Sequence, residues 1–207
     1  MYIPSSFKVD DISVVRRFIQ AHGFASVIST VDGTPYASHL PVLLDEGENG
    51  DVLRGHMARA NEQWKHFDGS REILCIFQGP HAYISPSWYE TKGGVPTWNY
   101  TTVHAYGIPR IESEKRVVRQ ILNYTTEKYE SAMSEPWRMN LSGEALDALL
   151  NAIIGFSIRV TRLEAKFKLG QNRSGKDQNG MIDGLTGSPY AGDRELAKFI
   201  REYHKVD

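Results

Sequence analysis

Three short runs hold most of the side chains able to do chemistry: RGHMARANEQW (Arg54 to Trp64), FQGPHAYISPSWY (Phe77 to Tyr89) and VPTWNY (Val95 to Tyr100). Basic, aromatic and amide groups are denser there than secondary structure requires, and together they suit a flat, phosphorylated ligand. Arg54 and His56 lie two apart, so on an extended strand both fall on one face, with Gly55, Met57 and Ala58 beside them. Next, Asn61 can open a short helix over Asn61 to Phe67, whose free N–H groups attract an anion. Trp64 closes the run. The other two runs supply Tyr83, Trp88, Tyr89, Trp98 and Tyr100 as wall material, with Asn99 as an amide partner. A second basic pair, Lys166 and Lys168, is again two apart on an expected strand and is followed by Gln171 and Asn172. For either pair the bland alternative is a solvated strand face.

The elements that must position these groups can be read from periodicity. Asp10 or Asp11 caps a helix carrying Ile12, Val15, Phe18 and Ile19 and ending at His22 and Gly23. Phe24 to Thr30 and Pro35 to Leu44 read as strands joined by Asp32 and Gly33, a dipeptide suited to a type I′ hairpin turn. A turn-rich tract, Asp45 to Asp51, leads to strand Val52 to Met57. Strand Ile73 to Gln78 is expected to stop at Gly79 and Pro80. Tyr83 to Thr97 reads as an ordered loop whose tryptophans pack on something. Asn99 to Ile111 is the longest strand, with a bulge or edge at Gly107 and Pro109. Helices follow over Glu114 to Lys128 and Gly143 to Leu150, the latter capped by Ser142. Strands Ile153 to Val160 and Leu163 to Leu169 come next, then a last helix capped by Asp193. Tight turns between strands, with helices inserted late, favour an antiparallel barrel in an α+β fold.

Composition narrows the function. The 207 residues include 24 basic and 25 acidic side chains, so no global pull toward polyanions exists, which argues against broad nucleic-acid binding. The lone Cys75 sits in the apolar run ILCIF and reads as a small buried hydrophobe in a reducing compartment. The absence of a transmembrane-length apolar run or a signal-like N-terminus gives a cytoplasmic expectation and no membrane partner. Seven histidines show no HExxH or cysteine partnership, so no metal site is expected. GxSxG and the dinucleotide glycine fingerprint are also missing.

These runs resemble the FMN-binding negative transcriptional regulators of the PaiB type, flavin-binding split β-barrels related to pyridoxamine-phosphate oxidases. The resemblance also includes MYIP (Met1 to Pro4), ASHLPVLLD (Ala37 to Asp45), VHAYG (Val103 to Gly107), GFSIRVTRLEAKFKLGQN (Gly155 to Asn172) and GMI (Gly180 to Ile182). It implies one FMN-binding split-barrel domain over residues 1–207, Greek-key in type, with inserted helices at about 112–150 and a C-terminal helical segment. It also implies FMN as cofactor, with Arg54 as first choice for the phosphate, helped by His56, Arg59 and the backbone from Ala58 to Asn61. Lys166 and Lys168 form the second basic element. Met57, Trp64, Ser85, Trp98 and Asn99 have the chemistry to surround the ring. The resemblance further implies a homodimer with the ligand at its interface, VPTWNY reaching across from the partner. Two departures stand out: Gly170 replaces the serine of the family's KLSQN, removing a hydroxyl, and Glu62 stands where proline is expected. The family role is negative regulation, yet no helix-turn-helix with a basic recognition helix is apparent, so DNA as a partner lacks support from charge. Competing readings are a flavin-dependent reductase or oxidase, with Tyr83, Tyr100 or His81 supplying a proton, and a haem-binding relative with His204 as ligand.

Overall fold

Asp32 and Gly33 both adopt positive φ, 50° and 78°. That is the type I′ requirement, and it turns strand β1 (Phe24–Val31) directly into β2 (Thr34–Asp45) with Val31 opposite Thr34. This computed structural model describes residues 1–47 and 49–204. Within the expected turn-rich tract, Glu48 lies outside the described residues. After helix α1 (Ile12–Ala21) and the hairpin come β3 (Val52–Ala58), β4 (Ile73–Ile84) and β5 (Thr97–Glu112). Helices α2 (Lys115–Glu130) and α3 (Gly143–Asn151) precede β6 (Ile153–Lys168), and α4 (Gly175–Thr186) and α5 (Ala191–Tyr203) follow it.

The strands form a closed antiparallel barrel in the order β1-β2-β3-β6-β5-β4. Three hairpin-type neighbours, β1 to β3, are followed by a β4 that returns beside β1, which is a Greek key. The chain divides into two compact units, one of Met1–Val15, Gln78–Val103 and Glu164–Asp207, the other of Arg16–Phe77 and His104–Leu163. We call them the first and second unit; β4, β5 and β6 each run through both.

In the second unit, β3 pairs with β2 (Arg54 opposite Leu43) and with β6 (Gly55 opposite Phe156). Its period-2 pleat buries Leu53, Gly55 and Met57 and leaves Arg54 and His56 half-buried on the other face. Leu43, Leu53, Phe77, Phe156 and Ile158 fill the core. Gln63 is buried and donates through Nε2 to Val27 O (2.8 Å), Ser29 Oγ (3.1 Å) and Tyr36 O (3.1 Å), tying its turn to the hairpin. Cys75 is fully buried, and burial pushes its thiol up to about 12, the behaviour of a hydrophobe. In the first unit, Phe167, Leu169, Met181, Leu185, Leu196 and Ile200 make the core. The Phe167 ring meets Phe199 and Tyr203 of α5 edge-on, each at 5.4 Å.

Several expectations need correction. The short helix expected over Asn61 to Phe67 is present as a five-residue 3-10 turn, Glu62–His66, between those two residues. β4 does not stop at Gly79 and Pro80: Pro80 lends its carbonyl to the Thr101 hydroxyl at 3.1 Å, and the alternation continues to Ile84. Gly107 lies within β5 near its end, and a Cβ there would lie 2.5 Å from Arg159 O, so glycine permits a close approach of strands. The two expected C-terminal strands are one, β6, running through exposed Thr161 and Arg162. Ser142 occupies the α3 cap position without a side-chain bond, and α5 starts from Tyr190, with Asp193 in its first turn accepting from Ser188 Oγ at 2.6 Å.

Helix α4 was not expected at all. Ser174 caps it by accepting from Asp177 N at 3.2 Å, and its glycines serve packing: a Cβ at Gly180 would strike Trp88 O, and one at Gly184 would collide with the Trp88 ring. Trp88 therefore wedges the segment after β4 onto α4. The Thr91 amide donates to Asp177 Oδ1 at 2.9 Å, holding that carboxylate below its usual range, and Lys176 pairs with Glu90 at 2.9 Å. This is what the expected ordered loop packs on.

Candidate functional site

The sequence-chosen residues fall into two groups, one in each unit, and each group has its own geometry. In the second unit, β3 puts Arg54 and His56 on one face as the spacing required. Arg54 Nε donates to Asp45 Oδ2 at 2.7 Å, and Nη1 lies 3.8 Å from Glu112 Oε1. It lines a cavity of about 460 Å³ with Leu43, Val117 and Tyr124. Two carboxylates already answer this guanidinium, which weakens the case for Arg54 as the phosphate ligand: an incoming phosphate would meet Asp45 and Glu112 as well. His56 Nδ1 is buried with no hydrogen-bond partner among the described residues, and burial lowers the imidazole pKa.

Gly55 and Met57 are corrections. They share the opposite face of the pleat, and Met57, 2 % exposed, is a core side chain rather than a ring contact. Ala58 ends β3 exposed, its carbonyl accepting from Asn61 N at 2.9 Å. Arg59 donates to Asn151 O at 2.6 Å and Ile153 O at 3.1 Å. Asn61 caps its turn as expected: Oδ1 accepts from Gln63 N at 3.1 Å while Nδ2 donates to Ser38 Oγ at 2.8 Å. Glu62, in place of proline, ion-pairs with Lys65 in that turn. Trp64 is half-buried, and Nε1 donates to Arg59 O at 2.9 Å, pinning the turn's backbone.

In the first unit, β6 carries Lys166 and Lys168, both pointing the same way as alternation requires. Lys166 is 7 % exposed, donates to Tyr2 O at 3.2 Å, and lies 5.1 Å from the Tyr100 ring centre and 5.5 Å from that of Tyr2. Lys168 donates to Thr97 Oγ1 and, at 2.8 Å, to Trp98 O. Neither amine meets a carboxylate among the described residues. Burial first, then Lys166 and Arg173, lower the Lys168 pKa. Arg173, which sequence reasoning passed over although it directly follows Asn172, sits 4.8 Å over the Tyr89 ring.

The remaining first-unit residues divide. Gln171 is a correction: Oε1 accepts from Leu169 N at 2.7 Å and Nε2 donates to Phe167 O at 2.6 Å, so the amide closes the turn after β6. Gly170, where the family pattern has serine, holds φ of +84°, a conformation that suits glycine. Asn99 is 2 % exposed, and its Nδ2 finds, among the described residues, only the weak acceptor Met181 Sδ, at 3.1 Å. Trp98 is 55 % exposed and lines a cavity of about 660 Å³ with His81, Tyr83, Ser85 and Trp88. His204 ends α5 exposed, its ring 6.1 Å from Tyr203, the position of a solvated helix end.

A phosphate monoester near two negative charges needs converging donors with surplus positive charge. The Lys166–Lys168 pair has that surplus; the Arg54 cluster has spent it. Against known proteins, residues 1–162 match the family model described as "Putative FMN-binding domain". Over 204 residues the chain is 37% identical to "Protease synthase and sporulation protein PAI 2" of Bacillus subtilis (strain 168), spanning 98% of this chain and 97% of that protein. Among solved structures, the flavocytochrome Anf3 of Azotobacter vinelandii aligns with a TM-score of 0.60 at 16% identity, over 82% of this chain and 70% of that one. The FAD and heme binding protein of Mycobacterium smegmatis gives 0.61 at 13% identity, over 83% and 78%. At such identities the two structures speak for the fold alone.

Proposed function

We propose, from the premise that this chain belongs to the FMN-binding domain family and to the family of Bacillus subtilis PAI 2, that it is an FMN-binding split-barrel protein of the PaiB type. In this reading Lys166 and Lys168 take the cofactor's phosphate. The observation that carries it is a pair of amines, Lys166 buried and Lys168 half-buried, that meets no carboxylate among the described residues, a charge arrangement that costs stability until an anion arrives. Arg173 adds positive charge, and Gln171 shapes the turn that holds the pair. Trp98 and Asn99, next to the Thr97 hydroxyl that Lys168 meets, are the residues we assign to the ring's surroundings. When bound, the isoalloxazine supplies hydride and electron chemistry of its own, and the chain's part is to bind and orient it.

The test compares FMN with riboflavin, the same ring without phosphate. Apo-protein should bind FMN at least about tenfold more tightly, because a charge-assisted contact contributes about 1.5–3 kcal/mol. Equal affinities would overturn the assignment.

A homodimer with the ligand site at its interface is part of the proposal. Phe24, 68 % exposed, and Tyr36 on the β1–β2 hairpin support association, since large exposed aromatics on strands favour it. Sedimentation of Phe24→Asp checks this: a monomer is expected, and an unchanged dimer removes the hairpin from the interface. Negative regulation, in our reading, does not run through direct DNA contact by α2. Two of its basic residues are engaged internally, Lys115 with Asp147 at 2.6 Å and Lys128 with Gln20 O at 2.7 Å. Salt-sensitive, sequence-specific retention of a promoter fragment by the pure protein would overturn that clause. We place the protein in the cytoplasm; no helix among the described residues is long and apolar enough to cross a membrane.

A further inference from the structure

We infer that the cavity of about 660 Å³ in the first unit is a second ligand site, for a flat aromatic molecule that is neutral or cationic and donates hydrogen bonds. Its size falls within the roughly 300–1,000 Å³ of small-molecule pockets. His81, Tyr83, Trp98, Ser188, Tyr190 and Asp193 all line it. Neither neighbouring ring covers the indole of Trp98 face to face: Tyr83 meets it edge-on at 6.2 Å, and His81 is tilted by 35° at 6.3 Å. An indole that is more than half exposed, with rings only at its margins, has a face left for a ligand ring to stack on.

The polar lining gives the ligand's chemistry. His81 is held beside the cavity by its own strand, with Nδ1 3.2 Å from Gly79 O and 3.4 Å from Gln78 Nε2. Asp193 uses Oδ2 on the Ser188 hydroxyl, leaving Oδ1 without a partner among the described residues. Among the described residues no lysine or arginine is part of the lining itself. The remaining Asp193 carboxylate oxygen favours donors and positive charge and disfavours anions. The same lining that suits an aryl amine therefore rejects an aryl carboxylate.

This site rests on the flavin reading only through Trp98, which both use. The test titrates FMN-saturated protein with 9-aminoacridine, a flat cation with an exocyclic amine, and with 9-anthracenecarboxylate, an anion of similar size. The cation should bind at least about tenfold more tightly, and Asp193→Asn should weaken it by about fivefold or more without changing FMN content. Tyr190→Ala, at a side chain 72 % exposed, is the second variant, and it should weaken the cation while leaving the fold intact. Equal binding of the two probes, or binding indifferent to both variants, overturns the inference. So does displacement of FMN by the acridine, which would make the cavity the flavin's own and leave the flavin reading standing. Acridine binding by a protein that takes no FMN leaves this site standing and removes the flavin instead.

Discussion

On β3, Arg54 has Asp45 at 2.7 Å and Glu112 at 3.8 Å; on β6, Lys166 and Lys168 meet carbonyls, a hydroxyl and aromatic rings, and no carboxylate among the described residues. The sequence spacing is the same in both pairs, and in both it puts the basic groups on one face of a strand. What differs is the company. Arg54 lies opposite Leu43, two residues before Asp45 on the neighbouring strand, and the distant end of β5 brings Glu112. The lysines lie in a segment whose neighbours are Tyr2, Thr97, Trp98 and Tyr100. Spacing thus selects a face, while the adjoining elements decide whether charge there is neutralised or held ready for a ligand.

That contrast can be broken in four ways. The largest effect is expected from Lys166→Ala with Lys168→Ala: FMN affinity should fall by about two orders of magnitude, read by fluorescence titration, as two charge-assisted contacts at about 1.5–3 kcal/mol each are lost. A fall under about threefold would move the phosphate elsewhere. Next, Gly184→Ala should lower stability by about 1–3 kcal/mol, because its Cβ overpacks against the Trp88 ring. Chemical denaturation measures it, and an unaltered midpoint would mean that Trp88 swings aside at no cost.

The third is a pH dependence. The Lys168 pKa is depressed in the folded apo-protein, by burial first and then by Lys166 and Arg173. Between that lowered value and the ordinary lysine value the unfolded chain binds more protons, so apo stability should rise with pH across this window. FMN affinity should fall over the same window as the ammonium is lost. Both trends should vanish in Lys168→Met; if they persist there, another group titrates. The smallest effect is Arg54→Ala. FMN affinity should stay within about threefold, with at most about 1 kcal/mol of stability lost from a partly exposed ion pair. A loss exceeding tenfold, or about 1.4 kcal/mol, would reverse the comparison.

Sequence reasoning saw what local chemistry dictates and missed what distant partners dictate. The Asp32–Gly33 turn, the face shared by Arg54 and His56, and the Asn61 cap all follow from a few adjacent residues, and each is present. Helix α4 stayed hidden because Gly175, Gly180 and Gly184 depress helix propensity, and the reason for the last two is Trp88, nearly a hundred residues earlier. β4 passes through Gly79 and Pro80 because Thr101 of β5 takes up the proline carbonyl. Gln171 stands out in the sequence as an amide directly after the lysine pair, and both ends of that amide close its own turn. The same limit governs Arg54: nothing within RGHMARANEQW reveals Asp45 or Glu112.

A crystal structure of the protein grown with FMN tests the central claim most directly. The account predicts phosphate oxygens within about 3 Å of the Lys166 and Lys168 amines, with Arg54 still on Asp45 and Glu112. A phosphate seated on Arg54, with both lysines far from it, would contradict the account.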